Sequence, residues 1–286
     1  MIKLGISSYS FAAYMKATGA SYFDICNKAK EIGFESIEFI TLKTEEDTNE
    51  SRLALADGLR EHCAAIGLEI SAYTVGANLA GDDGDKTVED LLHSLEVTRR
   101  LGASIMRHDV FSSSSPDVDY KAVIGEVVPR IRRVADKARE MGIVTCAENH
   151  GYVFQAPERV RELIVAVDRP NYRWLCDVGN FMCADCDTVE SVKIAAPYTC
   201  HVHAKDFLCK ARGEMGASGF NFSTIGGNRI RGTVIGHGVV RVGECLKVLL
   251  ESGYDGYISL EFEGKEDPIY ALTCGYENLR ELCGLN

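Results

Sequence analysis

The feature that most constrains this chain is a regular alternation of short apolar, β-branched segments with longer amphipathic segments. Eight segments of the first kind are predicted to be strands: Ile2–Ser7, Glu35–Ile40, Glu69–Thr74, Ala103–Asp109, Ile143–Glu148, Tyr172–Asp177, Cys200–Lys205 and Gly256–Glu263. A helical pattern follows each of them, over Tyr22–Glu31, Ser51–Ile66, Thr87–Leu101, Asp119–Met141, Glu158–Val167, Thr188–Ala195, Arg241–Glu251 and Asp267–Leu282. Such alternation is typical of a parallel sheet.

Eight such units in 286 residues predict an α/β protein, a single (β/α)8 TIM barrel that spans residues 1–286 as one domain. A doubly wound open sheet is the alternative. The phosphate-cradling loops of nucleotide-binding folds are missing, because no GxGxxG follows the first strand and no GxxxxGK[ST] occurs. One connection, at about 207–236, is unusually long and rich in glycine, and a loop of this length is often functional.

Composition narrows the class of protein further. A hydrophobic content of 46% with 26% charged residues is ordinary for a soluble globular protein, and a net charge of −11 disfavours nucleic acid as a partner. The start MIKLGISSYS has neither a basic nor an apolar leader region, and no apolar run is long enough for a membrane span, so we expect a cytoplasmic protein.

The eleven cysteines are expected to be reduced, since several lie within apolar strand segments. Cys183 and Cys186 have the spacing of half a zinc knuckle, but the other half is missing, so a structural role is favoured for both.

Ionisable residues end the last four predicted strands. Glu148, Asp177, His203 and Glu261 lie at the carboxyl ends of strands five to eight, where a (β/α)8 barrel builds its active site. Three converging carboxylates would repel one another unless they bound a cation or a proton. The sequence therefore predicts one divalent metal ion held by these four side chains. Their oxygen-rich set favours Mn2+, with Mg2+, Co2+ or Zn2+ as alternatives.

The motifs around these residues resemble the xylose isomerase-like superfamily of sugar isomerases and epimerases, which also includes inosose dehydratases and, more distantly, endonuclease IV. The matching segments cover nearly the whole chain: GISSYSF, FESIEF, AENHG, CDVGN, HVHAKDF, GHGVV and GYDGYISLEFEG. The resemblance implies that Glu148, Asp177, His203 and Glu261 hold one metal ion. Two positions depart from the family pattern: Asn180 stands where a histidine is common, and Cys209 where keto-sugar 3-epimerases have an arginine.

The resemblance implies a metal-dependent isomerase or epimerase that acts on a keto-sugar or sugar phosphate through an enediolate. Glu148 and Glu261 are the predicted proton-transfer pair, because they would grip the metal from opposite sides. The first alternative is a lyase, either an inosose dehydratase-like enzyme or one that cleaves keto-glycosides. An endonuclease IV-like hydrolase and a non-enzymatic sugar-binding barrel are less favoured. A carbohydrate is the expected small-molecule partner, and a homo-oligomer stays open.

Further side chains are candidates for contact with the substrate because they lie at strand ends or in the long connection. They are Glu38, His108, His150, Asn180, Lys205, Arg229 and Arg231. Either arginine is a candidate to replace the arginine that is missing at Cys209 or to contact a phosphate.

Overall fold

The structure, a computed structural model, describes residues 2–113 and 117–285. Its strands in these ranges are β1 (Lys3–Ser7), β2 (Ser36–Ile40), β3 (Glu69–Val75), β4 (Ile105–His108), β5 (Val144–Glu148), β6 (Tyr172–Asp177), β7 (Thr199–Ala204), β8 (Asp206–Lys210), β9 (Phe222–Ser223), β10 (Arg229–Thr233) and β11 (Tyr257–Leu260). Eight of these described strands form a closed barrel in the order β1-β11-β7-β6-β5-β4-β3-β2, and all pairs are parallel. The barrel prediction is confirmed.

The helices of the described ranges are α1 (Ala12–Thr18), α2 (Tyr22–Ile32), α3 (Asn49–Ile66), α4 (Gly84–Leu101), α5 (Tyr120–Glu140), α6 (Pro157–Val167), α7 (Thr188–Ala195), α8 (Val242–Glu251) and α9 (Pro268–Leu282). Capping boxes begin α2 and α3, at Ser21 and Thr48. Helix α1 was not predicted. No helix in the described part of the chain is long and apolar enough to cross a membrane.

Two layers fill the barrel interior. Ala72, Ile105, Cys146 and Leu175 form a small buried apolar cluster of their own, separate from the main core between sheet and helices. Because side chains alternate along a strand, Arg107 and Glu148 share the faces of Ile105 and Cys146 and lie one step closer to the carboxyl ends. The barrel is therefore apolar at depth and charged at its mouth.

The long connection contains β-structure instead of an irregular loop. Strands β8, β10 and β9 form a three-stranded antiparallel sheet, here called the hairpin sheet (residues 206–233). A Cβ on Gly232 would lie 2.6 Å from the backbone carbon of Glu263, so glycine allows the sheet to approach the chain that follows β11.

Candidate metal centre

The structure brings the four predicted ligands together at the mouth of the barrel. His203 Nδ1 lies 3.8 Å from Glu148 Oε1, 3.9 Å from Asp177 Oδ2 and 3.5 Å from Glu261 Oε2. These separations are too long for hydrogen bonds, but they suit donors that share a cation at about 2.0–2.2 Å from each. Within residues 2–113 and 117–285, the buried Nδ1 has no hydrogen-bond partner. The donor set therefore fits a single divalent ion.

Backbone amides and Asn149 fix the orientation of Asp177. Asp177 Oδ1 accepts hydrogen bonds from the N–H groups of Gly179 and Asn180, at 2.8 and 2.9 Å, which leaves Oδ2 for the cluster. Asn149 donates to the Asp177 carbonyl at 2.8 Å and accepts from the Asp177 N–H at 3.0 Å. The ends of β5 and β6 are thus locked together beside the cluster.

Burial and neighbouring charges act differently on the three carboxylates. Burial raises the pKa of Asp177 to about 7, with Lys205 opposing the rise and Glu148 and Glu261 adding to it. Burial also disfavours the charged form of Glu148, but Arg107 and His203 outweigh it and lower the pKa of Glu148 to about 2. Lys205 and His203 hold the pKa of Glu261 well below its ordinary value against the effect of burial.

Lys205, a predicted substrate contact, lies within the cluster. Its Nζ is 2.5 Å from Glu261 Oε2, 3.2 Å from Asp177 Oδ2 and 3.1 Å from Glu263 Oε1. The side chain is almost fully buried, so these ion pairs act where solvent screens them weakly. The ammonium therefore offsets part of the negative charge of the cluster.

Glu38, a predicted substrate contact, lies on the side of His203 opposite the cluster. Its Oε1 is 2.7 Å from His203 Nε2, and its Oε2 hydrogen-bonds His201 Nε2 at 2.6 Å. Glu38, His201 and His203 are also spaced so that they could hold a metal ion. The Glu38 carboxylate faces the Nε2 atoms of both imidazoles, so we interpret Glu38 as the group that orients His203.

Arg107 is the functional candidate that the sequence analysis missed. Its guanidinium bridges Glu148 Oε2 and Asp109 Oδ1, both at 2.7 Å. His108, the residue chosen on β4, faces the other way and contacts the Asp109 carbonyl and the ring of Tyr172. Period-two alternation along β4 was the available signal, since Arg107 and not His108 shares a face with the interior residue Ile105.

A cavity of about 210 Å3 adjoins the cluster. Its lining consists of His150, Gly151, Tyr152, Gln155, Asn180, Cys183, Lys205, Phe207, Phe222 and Glu263. Asn180 Nδ2 donates to Glu148 Oε1 at 2.9 Å, and His150 Nδ1 lies 2.9 Å from Asp109 Oδ1. Three predicted substrate contacts, His150, Asn180 and Lys205, therefore line one cavity beside the candidate metal ligands.

The structure does not bring Arg229 and Arg231 to this cavity. Arg229 hydrogen-bonds Ser223 and the Phe220 carbonyl, whereas Arg231 faces Glu266 and the ring of Phe220. Among the described residues, neither group with metal-ligand spacing includes Cys183 or Cys186.

Comparison of this chain with known protein families shows which family it belongs to. The model for the xylose isomerase-like TIM barrel matches residues 26–282. The chain belongs to this family. An inosose dehydratase from Clostridium perfringens is 24% identical over 221 residues, which cover 73% of each chain. One from Klebsiella pneumoniae is 24% identical over 240 residues, or 77% of this chain and 79% of the relative.

Solved structures of the same fold include dehydratase and epimerase members. The probable 3-DHS dehydratase AsbF from Bacillus anthracis has a TM-score of 0.74 at 20% identity, with 98% of each chain covered. A D-psicose 3-epimerase has a TM-score of 0.73 at 17% identity and 99% coverage of each chain. IOLI protein with a bound zinc atom has a TM-score of 0.75 at 16% identity, covering 99% of this chain and 98% of its own. At these identities the likeness shows the fold alone.

Proposed function

We propose that this protein is a divalent-metal-dependent dehydratase that removes water from an uncharged polyhydroxy ketone. The observation that carries the proposal is a histidine on the cavity wall beside the metal-ligand cluster: His150, whose Nδ1 lies 2.9 Å from Asp109 Oδ1. Elimination of a β-hydroxyl needs a base and also a proton donor for the departing oxygen. The cluster offers the base, and His150 offers the donor.

The reaction balances with residues that border the cavity and the cluster. Glu148 or Glu261 takes the proton from the carbon next to the carbonyl, and the C–H electron pair forms a carbon–carbon double bond. The C–O bond at the β carbon breaks, and the departing oxygen takes a proton from His150. The products are water and an unsaturated ketone, and proton exchange with solvent restores both residues. A metal ion on the four side chains would polarise the carbonyl and acidify the adjacent C–H bond.

The charges around the cavity favour a substrate without a phosphate group. Lys205 already contacts three carboxylates, those of Asp177, Glu261 and Glu263. Arg229 and Arg231, the predicted phosphate contacts, bind other groups on the hairpin sheet and at Glu266. The described residues of the cavity lining therefore offer a phosphate group no ammonium or guanidinium other than the already paired Lys205, which disfavours its binding.

The comparisons support a lyase more than the isomerase or epimerase that the sequence predicts first. The curated relatives reported above are inosose dehydratases, whereas a D-psicose 3-epimerase shares only the fold. The chain also has Cys209 where the family resemblance expects an arginine in keto-sugar 3-epimerases. An inosose, a cyclic polyhydroxy ketone, is accordingly the first substrate to test.

The deciding experiment is incubation of metal-free and Mn2+- or Zn2+-loaded protein with an inosose and with D-fructose in D2O. We expect metal-dependent loss of water from the inosose, seen by mass spectrometry and as the ultraviolet absorbance of the unsaturated ketone. Deuterium uptake without loss of water would instead indicate that the protein is an isomerase or epimerase. If neither substrate lost water or took up deuterium, the result would contradict both the dehydratase and the isomerase or epimerase.

The variant His150→Gln separates the two proton transfers. We expect it to slow the loss of water about 100-fold or more, the usual contribution of a general acid, while deuterium exchange next to the carbonyl continues. His93→Gln is the matched control, since His93 lies on the surface of α4 and contacts Asn49. If His150→Gln slowed deuterium exchange as much as loss of water, His150 would not be the proton donor.

A further inference from the structure

The hairpin sheet has an apolar face and a basic face. In its antiparallel register, Ile230 lies opposite Phe222 and Gly232 lies opposite Phe207. Directly opposed residues share a face, and positions two apart on a strand share it too, so Phe207, Phe222, Ile230 and Gly232 lie on one side. Phe207 and Ile230 are buried, which places this side against the barrel.

Aromatic residues on this face form one wall of the active-site cavity. Phe207 and Phe222 line the cavity, and Tyr152 joins them from the segment after β5. The other lining side chains are mainly polar or charged, with Lys205 and Glu263 among them. Phe222 is 37% exposed, so part of its ring is free to contact a ligand. The cavity thus combines an aromatic wall with a hydrogen-bonding wall.

Specific contacts fasten the hairpin sheet at the rim of the barrel. Tyr152 Oη donates to the Ser223 carbonyl at 2.9 Å, directly beside Phe222. The Asp185 carboxylate accepts hydrogen bonds from the Gly226 N–H, at 2.5 Å, and from Asn228 Nδ2, at 3.1 Å. Ile225 N–H donates to the Cys183 carbonyl at 2.9 Å. Contacts at four positions of the hairpin sheet therefore hold Phe222 in a defined place over the cavity.

We infer that Phe222, with Phe207 and Tyr152, forms a subsite that selects a ring-shaped, uncharged polyol over an open-chain one. A six-membered carbocycle presents axial C–H groups on its face and hydroxyl groups around its edge. The C–H face can lie against the aromatic wall while edge hydroxyls bond the polar wall, so both surfaces are matched at once. An open chain offers no flat apolar face and loses more conformational freedom on binding.

This inference deepens the proposed function, on which its biological meaning rests, but its test does not depend on catalysis. The probes are myo-inositol and D-mannitol, two uncharged polyols with the same number of hydroxyl groups, one cyclic and one open. Neither has a carbonyl group, so neither undergoes the proposed elimination. Saturation-transfer NMR on the metal-loaded protein, with selective irradiation of aromatic protons, reports contact between the aromatic wall and ligand C–H groups, and titration gives each Kd.

We expect strong transfer to the ring protons of myo-inositol and weak transfer to D-mannitol. Phe222→Ala should weaken myo-inositol binding about tenfold, as for the loss of a partly buried phenyl group, and change D-mannitol binding less than about twofold. Phe222→Trp retains an aromatic face and should restore the preference. Ile225→Ala is the matched control, because Ile225 lies on the same sheet connection, is 41% exposed and does not line the cavity.

Equal binding of the two polyols, binding of neither, or a myo-inositol Kd that Phe222→Ala leaves unchanged would overturn the inference. A preference for the ring that depends on Phe222 would support it even if no inosose lost water, in which case only the proposed function would fail. Loss of water from an inosose without any effect of Phe222→Ala on binding would support the proposed function and reject the subsite.

Discussion

The two halves of the barrel contribute different parts of the candidate metal centre. The proposed ligands Glu148, Asp177 and His203 lie on strands β5, β6 and β7, and the fourth, Glu261, directly follows β11. Strands β2 and β4 provide side chains that contact those ligands from behind: Glu38 behind His203 and Arg107 behind Glu148. The half that contains β5, β6, β7 and β11, here called the ligand half, would thus bind the ion. The half that contains β2 and β4, here called the supporting half, would set the orientation and charge of the ligands. Substitutions in the two halves should differ in size accordingly.

The largest effect is expected for Asp177→Asn, in the ligand half. The amide keeps the oxygen that accepts the N–H groups of Gly179 and Asn180, but it places a neutral group at the position of Oδ2. Metal affinity, measured by calorimetric titration with Mn2+ and Zn2+, should fall more than about 100-fold, beyond the usual range for contacts outside the ligand set. Asp168→Asn is the control, since Asp168 ends α6 away from the cluster. Unchanged metal affinity in Asp177→Asn would contradict the assignment of the ligands to this half of the barrel.

Glu38→Gln tests the supporting half and should have a smaller effect. A glutamine has one acceptor and one donor group, so it cannot accept from both His201 and His203 as the carboxylate can. We expect metal affinity to fall about 10- to 100-fold, and nitrogen NMR to show a mixture of His203 tautomers in the metal-free protein. A loss as large as that of Asp177→Asn would assign Glu38 to the ligand set instead.

The role of some of these residues could be predicted from the sequence better than that of others, and the reason is physical. That these four side chains meet at one place was predictable, because Glu148, Asp177, His203 and Glu261 lie at the carboxyl ends of successive barrel strands. Glu38 was predicted as a substrate contact; its position behind the Nε2 edge of the His203 ring depends on tertiary packing, which the sequence does not show. Arg107 was missed in favour of its neighbour His108, since the face of a four-residue strand is set by its register with β3 and β5.

Asp109→Asn should separate metal binding from catalysis. Asp109 follows β4 and contacts both Arg107 and His150, but it is not one of the proposed ligands. A neutral amide would hold the His150 ring less firmly, so the rate of the proposed elimination should fall about tenfold, a fraction of a full general-acid contribution. Metal affinity should change less than about twofold by the same titration. A matching loss in both quantities would mean that Asp109 acts through Arg107 and Glu148 instead.

The smallest effect is expected at the two arginines of the hairpin sheet. In the sequence GGNRIRG, Arg229 and Arg231 alternate with Ile230 and Gly232, so the burial of Ile230 against the barrel directs both arginines to the opposite face. The double variant R229Q/R231Q should leave metal affinity and the turnover of an inosose within about twofold, because neither arginine lines the cavity or contacts a proposed metal ligand. Steady-state kinetics and the same titration check this. A large rise in KM confined to a phosphorylated ketose would show that the basic face reaches a substrate after all, and it would reverse the argument for an uncharged one.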